Sequence, residues 1–139
     1  MHVADRRRSL RMVLLLAAAY ILIGLAFGEF SGLATTNSMR LLWRRSAWLV
    51  SGVFFAAHIV CGHFQLRNPP RVTAMHASIA AALGAGGLAA AANVHEWRTA
   101  SSYRPSMAIA LVAWPLLTLV PAFVVAIVAA TLLNRWRPQ

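Results

Sequence analysis

A single carboxylate lies within an apolar stretch of this sequence, near the far end of the first predicted helix. Glu29 follows a long apolar run, whereas the other two acids, Asp5 and Glu96, lie outside or at the end of such runs. A carboxylate in hydrocarbon is costly unless it is protonated, hydrated or paired. Two interpretations of Glu29 follow: it handles protons or cations, or it forms an interfacial ion pair, for which Arg98 is a nearby candidate.

A second polar feature is predicted in the last apolar stretch. Trp114 and Thr118 share a helix face, and Pro115 and Pro121 each free a carbonyl four residues earlier. These groups, together with Tyr20, predict a small polar cavity. The alternative is that the prolines only curve the helix. The predicted binding residues are therefore Glu29, Tyr20, Trp114 and Thr118.

Histidines flank a predicted turn at Asn68-Pro69-Pro70. His63 and His76 lie on either side of it, so antiparallel helices would place them at similar depth. Such a pair could ligate haem b or a metal, with His58 as a further candidate. However, His58 and His63 are five residues apart, about 140° around a helix. The competing interpretation is ordinary polar packing, so no cofactor is expected and haem b is the alternative.

The remaining chemistry-bearing residues do not form a catalytic pattern. The sequence contains no nucleophile next to a base, no phosphate-binding glycine loop and no aspartate cluster. Its one cysteine, Cys61, has no second cysteine with which to form an internal disulfide. The sequence therefore predicts a protein that is not an enzyme.

Four long apolar stretches must position these residues. Hydrophobic residues make up 60% of the chain and charged residues 12%, with a mean hydropathy of +0.65. Crossing about 30 Å of hydrocarbon takes roughly 20 apolar residues in a helix, because every backbone polar group must be satisfied within the segment. We therefore predict an all-α integral membrane protein, a single domain over 1–139, with four helices at about 10–34, 46–66, 72–97 and 105–133.

The arginines indicate orientation and partners. The net charge of +10 comes from 13 arginines, no lysine and three acids, and the arginines lie at or beyond the ends of the apolar stretches. This placement favours anionic lipid headgroups over nucleic acid. Eight arginines lie in the two tails and the second connection, and five in the first and third connections. The bias predicts that both termini are cytoplasmic. Four spans with short connections predict an antiparallel four-helix bundle, which we expect in a bacterial inner membrane.

Small residues form stripes that suit close helix packing. Spacing of four residues places glycines of the first helix on one side, and the third helix carries a comparable surface. The predicted packing residues are Gly24, Gly28, Gly32, Gly84 and Gly87. These stripes can pack within one chain or form the interface of a homo-oligomer.

Three functions remain open at this point. The preferred one is a small transporter, channel or export component that uses the carboxylate of Glu29. The first alternative is a non-catalytic membrane subunit or assembly partner of a larger complex. The second is a membrane anchor that binds haem b.

Overall fold

The computed structural model describes residues 3–99 and 105–135, and these form four helices. They are α1 (Val3–Leu33), α2 (Asn37–Phe64), α3 (Pro70–Thr99) and α4 (Pro105–Arg135). Each helix is long and apolar enough to cross a membrane. The predicted all-α fold with four candidate membrane spans is confirmed.

The helices extend further than the apolar stretches that predicted them. Helix α2 begins at Asn37 rather than near residue 46, so the predicted arginine-rich connection is largely helical. Thr36 caps this start, since its hydroxyl accepts a hydrogen bond from the Met39 amide at 3.3 Å. Hydropathy marks where hydrocarbon ends, but a helix can continue beyond it because its backbone bonds are internal.

The connection between α2 and α3 is tight and well bonded. The amides of Leu66 and Asn68 donate to the carbonyls of Cys61 and Gly62 at 3.2 and 3.1 Å, which satisfies the end of α2. Arg67 takes a left-handed backbone conformation, with φ of 50°. Helix α3 then begins at Pro70, a position where the missing amide hydrogen costs nothing.

Helix α3 is the centre of the fold. It contacts the other three helices, most extensively α4, whereas α1 and α4 do not contact each other within the described residues. Alanines make this possible, because small side chains allow backbones to approach closely. One core cluster joins three helices and consists of Ile59, Ala74, Ala77, Ala126 and Ala130.

The contact between α1 and α3 depends on glycines. A Cβ added at Gly84 would lie 2.6 Å from Cβ of Tyr20, and one added at Gly24 would lie 2.5 Å from Leu88. A Cβ at Gly87 would likewise collide with Ile21. The contact at Gly84 is the rigid one, because the Cβ of Tyr20 cannot rotate away, whereas Gly24 and Gly87 receive the ends of the Leu88 and Ile21 side chains.

The surface of the fold is apolar. Large aliphatic and aromatic side chains point outward along all four helices, and in the most apolar window of α4 only 11% of residues are buried. A water-soluble protein of this size does not expose continuous apolar surface of this extent. The four helices therefore indicate an integral membrane protein.

We expect Gly84→Ala to destabilise the fold, because the new methyl group must push α1 away from α3. Overpacking of this kind typically costs about 1–3 kcal/mol. Gly52→Ala is the matched control, since a Cβ there meets nothing within 4 Å. That variant should be neutral or gain up to about 1 kcal/mol from helix propensity. Unfolding of the detergent-solubilised variants, followed by circular dichroism, measures both, and equal effects would contradict the packing argument.

Candidate functional site

Glu29 lies at the edge of the hydrocarbon rather than in its middle. The Phe30 ring, next to Glu29, contacts Trp43 of α2 with centroids 5.0 Å apart, so the two residues share one level. From Trp43 to the end of α2 at Phe64 the helix rises about 32 Å, close to the roughly 30 Å of hydrocarbon. On α1 the rise from Arg11 to Phe30 is about 29 Å. Both helices thus place Glu29 within about a turn of the headgroups.

The Glu29 side chain faces out of the helix bundle. It is exposed, and among the described residues it makes no hydrogen bond and no ion pair. The ion pair of Glu29 with Arg98, which the sequence suggested, is therefore not formed among the described residues. Glu96 does have an interaction partner. Within the described part of the chain, the carboxylate of Glu29 is therefore open to water, a headgroup or another protein.

An aromatic cluster fixes the level of Glu29 and was not anticipated from the sequence. Phe27, Phe30 and Trp43 contact one another with centroid distances of 5.0 to 6.3 Å. Phe27 and Phe30 are three residues apart, so they share a helix face. Two phenylalanines three residues apart near the end of α1, with Trp43 near the beginning of α2, are the sequence signal from which this cluster could have been predicted.

The other three predicted binding residues are not brought together. Tyr20 is 9% exposed and packs on Gly84 between α1 and α3. Trp114 is 57% exposed and points away from the bundle, and Thr118 is half-buried on the same helix. Because α1 and α4 do not contact each other in the described part of the fold, the structure forms no shared cavity of Tyr20 with Trp114 and Thr118.

Hydroxyl groups of α3 and α4 are mostly satisfied by their own helices. Thr118 donates to the Trp114 carbonyl and Thr131 to the Ile127 carbonyl, at 2.8 and 2.6 Å. Ser78 donates to the Met75 carbonyl at 3.0 Å. Such local bonds satisfy the hydroxyls without a polar partner on another helix. These side chains therefore do not form a polar path between helices.

The glycine stripe of α1 has two different environments. Gly24 packs on Leu88, and Gly84 and Gly87 receive α1 from the side of α3. Gly28 and Gly32 are exposed, and a Cβ at either position would meet nothing within 4 Å. The glycine surface next to Glu29 is thus exposed, whereas Gly24, farther from the end of α1, packs against α3 of the same chain.

The three candidate histidines lie near the connection of α2 and α3. His63 is 0% exposed and His58 5%, whereas His76 is half-buried. His58 and His76 lie close enough for their charges to interact. The buried Nδ1 of His58 and the hydroxyl of Thr73 have no hydrogen-bond partner among the described residues. His58, His63 and Thr73 are thus buried polar residues near this connection, and Gly62 lets Thr73 of α3 approach α2. We call these three residues the buried polar layer.

This layer does not provide a recognisable metal or haem site. In the described chain, no three histidine, cysteine, aspartate or glutamate side chains are grouped so as to hold a metal ion. Haem needs a flat slot between its two axial ligands, yet His63 is fully enclosed, and neither of the two grooves beside α3 is lined by His58, His63 or His76. Neither groove thus brings the three histidines together, and haem b stays the alternative that the sequence predicted.

Asn93 is a structural residue that sequence reasoning missed. Its buried side-chain amide donates to the Ala89 carbonyl at 2.9 Å and across to the Met107 carbonyl of α4 at 2.8 Å. Hydrogen bonds between helices stabilise bundles in lipid, typically by about 1 kcal/mol. An asparagine within an otherwise apolar helix was the available signal for this link.

Comparison with protein-family models, with characterised proteins and with solved structures finds no match for this chain. The fold itself defines the class: a small protein of four helices that can each cross a membrane. Within that class, Glu29 at an outward-facing, interfacial position is the principal candidate for function.

The interfacial level of Glu29 predicts a difference in chemical accessibility. In a Cys61→Ser background, we expect Glu29→Cys to react with a membrane-impermeant maleimide, because its side chain reaches the headgroup region. Leu22→Cys is the control, since Leu22 is 67% exposed but lies about two turns deeper on α1. Intact proteoliposomes of each variant are treated with the maleimide, and the labelled fraction is measured from the mass shift of the protein band on a gel. Equal labelling at both positions would place Glu29 elsewhere.

Proposed function

We propose that this protein is a non-catalytic membrane subunit that assembles laterally with another membrane protein through the outer face of α1. The observation that supports it best is the position of Glu29, which is exposed on the outside of the bundle and unpaired among the described residues. An outward carboxylate next to the hydrocarbon is costly for an isolated chain. A neighbouring protein that offers a cationic or donor group removes that cost.

The surroundings of Glu29 suit such a contact. Gly28 and Gly32 flank it with open space, so the backbone of another helix can approach closely. The aromatic cluster of Phe27, Phe30 and Trp43 lies at the same level and gives the contact region a fixed position relative to the headgroups. The aromatic cluster that anchors α1 and the exposed glycines that could receive another helix therefore lie next to each other on α1.

The proposal includes an orientation. The four helices form an antiparallel bundle in a bacterial inner membrane with both termini cytoplasmic, as the arginine bias favours. The contacts of Tyr20 with Gly84 and of Gly24 with Leu88 run in the same order along α1 and α3. Ala74 shares a core cluster with Ala130, and Asn93 bonds to Met107, so α3 and α4 run in opposite order, which supports the antiparallel arrangement. Glu29 then lies on the periplasmic side, and anionic headgroups meet the arginines on both sides.

The assembly is tested by its mass in a mild detergent. We expect the wild-type chain extracted from its native membrane to migrate in a complex larger than a single chain. Gly32→Trp and Glu29→Gln should each shift it toward the single chain, because the first blocks close approach and the second removes the charge. Size-exclusion chromatography with light scattering provides the measurement.

Val53→Trp on α2 is the matched control for that experiment. Val53 is 68% exposed and lies away from the open face of α1, so this tryptophan should leave the complex intact. A wild-type chain that is monomeric directly after extraction contradicts the proposal. Comparison with the chain purified and reconstituted alone separates a homo-oligomer from a complex with a different protein.

The second candidate is transport, with Glu29 as the group that handles a proton or cation. The absence of an ion pair at Glu29 among the described residues favours it, because a neutralised carboxylate would be unsuited to that task. A path would then run along the interface of an assembly, since the described fold does not join Glu29 to Tyr20, Trp114 and Thr118 in one cavity.

Flux measurements distinguish the two candidates. If the protein transports, Glu29→Gln should abolish proton or cation flux in proteoliposomes while the helical content stays unchanged, because the amide cannot carry the charge. Glu96→Gln is the matched control, as it removes the same group at the end of α3. No flux in the wild type, or equal flux in wild type and Glu29→Gln, contradicts a transport role for this carboxylate.

A further inference from the structure

An open groove runs along the outer surface between α3 and α4, separate from Glu29. Its volume is about 350 Å³, and it is lined by Met75, Ser78, Ile79, Leu119, Val120, Phe123 and Val124. The only hydroxyl in this lining, that of Ser78, donates to the Met75 carbonyl of its own helix. The groove therefore offers no free polar group and is complementary to a hydrocarbon chain.

Two arginines lie beyond one end of this groove. Arg71 precedes Met75 by four residues and Ile79 by eight, so it continues the α3 wall of the groove toward the membrane surface. Arg135 follows Thr131 by four residues and Val124 by eleven, which continues the α4 wall. Both side chains are exposed.

The two arginines belong to the same end of the bundle. Ala74 and Ala130 pack in one core cluster, which places the beginning of α3 beside the end of α4. Arg71 lies about 4.5 Å before Ala74 and Arg135 about 7.5 Å beyond Ala130 along the helix axes. Glu29 and Glu96, the two acids whose side chains the structure describes, lie near the other ends of α1 and α3, so neither neutralises these arginines.

We propose that this groove is a binding site for one anionic phospholipid, with an acyl chain in the groove and the phosphate between Arg71 and Arg135. The guanidinium groups can each donate paired hydrogen bonds to phosphate oxygens. The apolar lining takes the chain, and the two cations select a headgroup with net negative charge over a zwitterionic one. The lipid thereby joins α3 to α4 at the end of the bundle opposite to Glu29.

The test measures lipid retention by native mass spectrometry. The purified protein is titrated with phosphatidylglycerol or phosphatidylcholine of identical acyl chains in mixed micelles. We expect one phosphatidylglycerol to be retained preferentially per chain. Arg71→Gln/Arg135→Gln should weaken that retention about thirty-fold, equivalent to about 2 kcal/mol at roughly 1 kcal/mol for each arginine near a lipid surface.

Arg40→Gln/Arg44→Gln is the charge-matched control. Both of these arginines are exposed at the beginning of α2, at the opposite end of the bundle, so their replacement should leave retention unchanged. An equal loss for the two pairs overturns the proposal, because it would show that net charge alone decides binding. Equal retention of the two lipids by the wild type overturns it as well.

A second pair of variants tests the groove itself and leaves every charge in place. Val120→Trp fills the groove, whereas Val125→Trp adds the same group on the same helix outside the lining; the two valines are 64% and 56% exposed. We expect only Val120→Trp to lower phosphatidylglycerol retention. Undiminished retention in Val120→Trp, with helical content equal to that of the wild type, overturns the proposed position of the acyl chain.

Discussion

In hydrocarbon, an unpaired peptide N–H or C=O has no water to bind, and this constraint governs the whole structure. It makes each apolar stretch a helix, whose backbone bonds are internal. Beyond the hydrocarbon, water can satisfy peptide groups and the constraint no longer applies, yet α1 and α2 continue as helices into their arginine-rich ends. Helix α2 begins at the Thr36 cap and ends before Pro69 and Pro70.

Lipid does not drive helices together as water does, so packing between them depends on close contact. Helix α3 provides that contact in every direction. Gly84 and Gly87 admit α1, Ala74 and Ala77 meet α4, and Asn93 bonds across to the Met107 carbonyl. The small residues of α3 are therefore the common support of the fold.

Both proposed binding surfaces consist of residues that this packing leaves exposed. The face of α1 beyond Gly24 carries Glu29 between open glycines near one membrane surface. The groove of α3 and α4 ends between Arg71 and Arg135 near the other. One surface offers a carboxylate and suits a protein with a cationic group, whereas the other offers guanidinium groups and suits an anionic lipid. Because α1 and α4 do not contact each other in the described residues, the two surfaces can be occupied independently.

Four apolar helices with arginines at their ends can be read from the amino-acid sequence, because apolar run length and arginine position are local properties. The sequence also identified Glu29, His63 and the glycine stripes as unusual. The docking of the helices, in contrast, is needed to see that Gly24 packs inward while Gly28 and Gly32 stay open, and that Tyr20 is separated from Trp114. Spacing defines a helix face, but which neighbour covers that face depends on how the helices dock, and that is fixed by contacts between residues far apart in sequence.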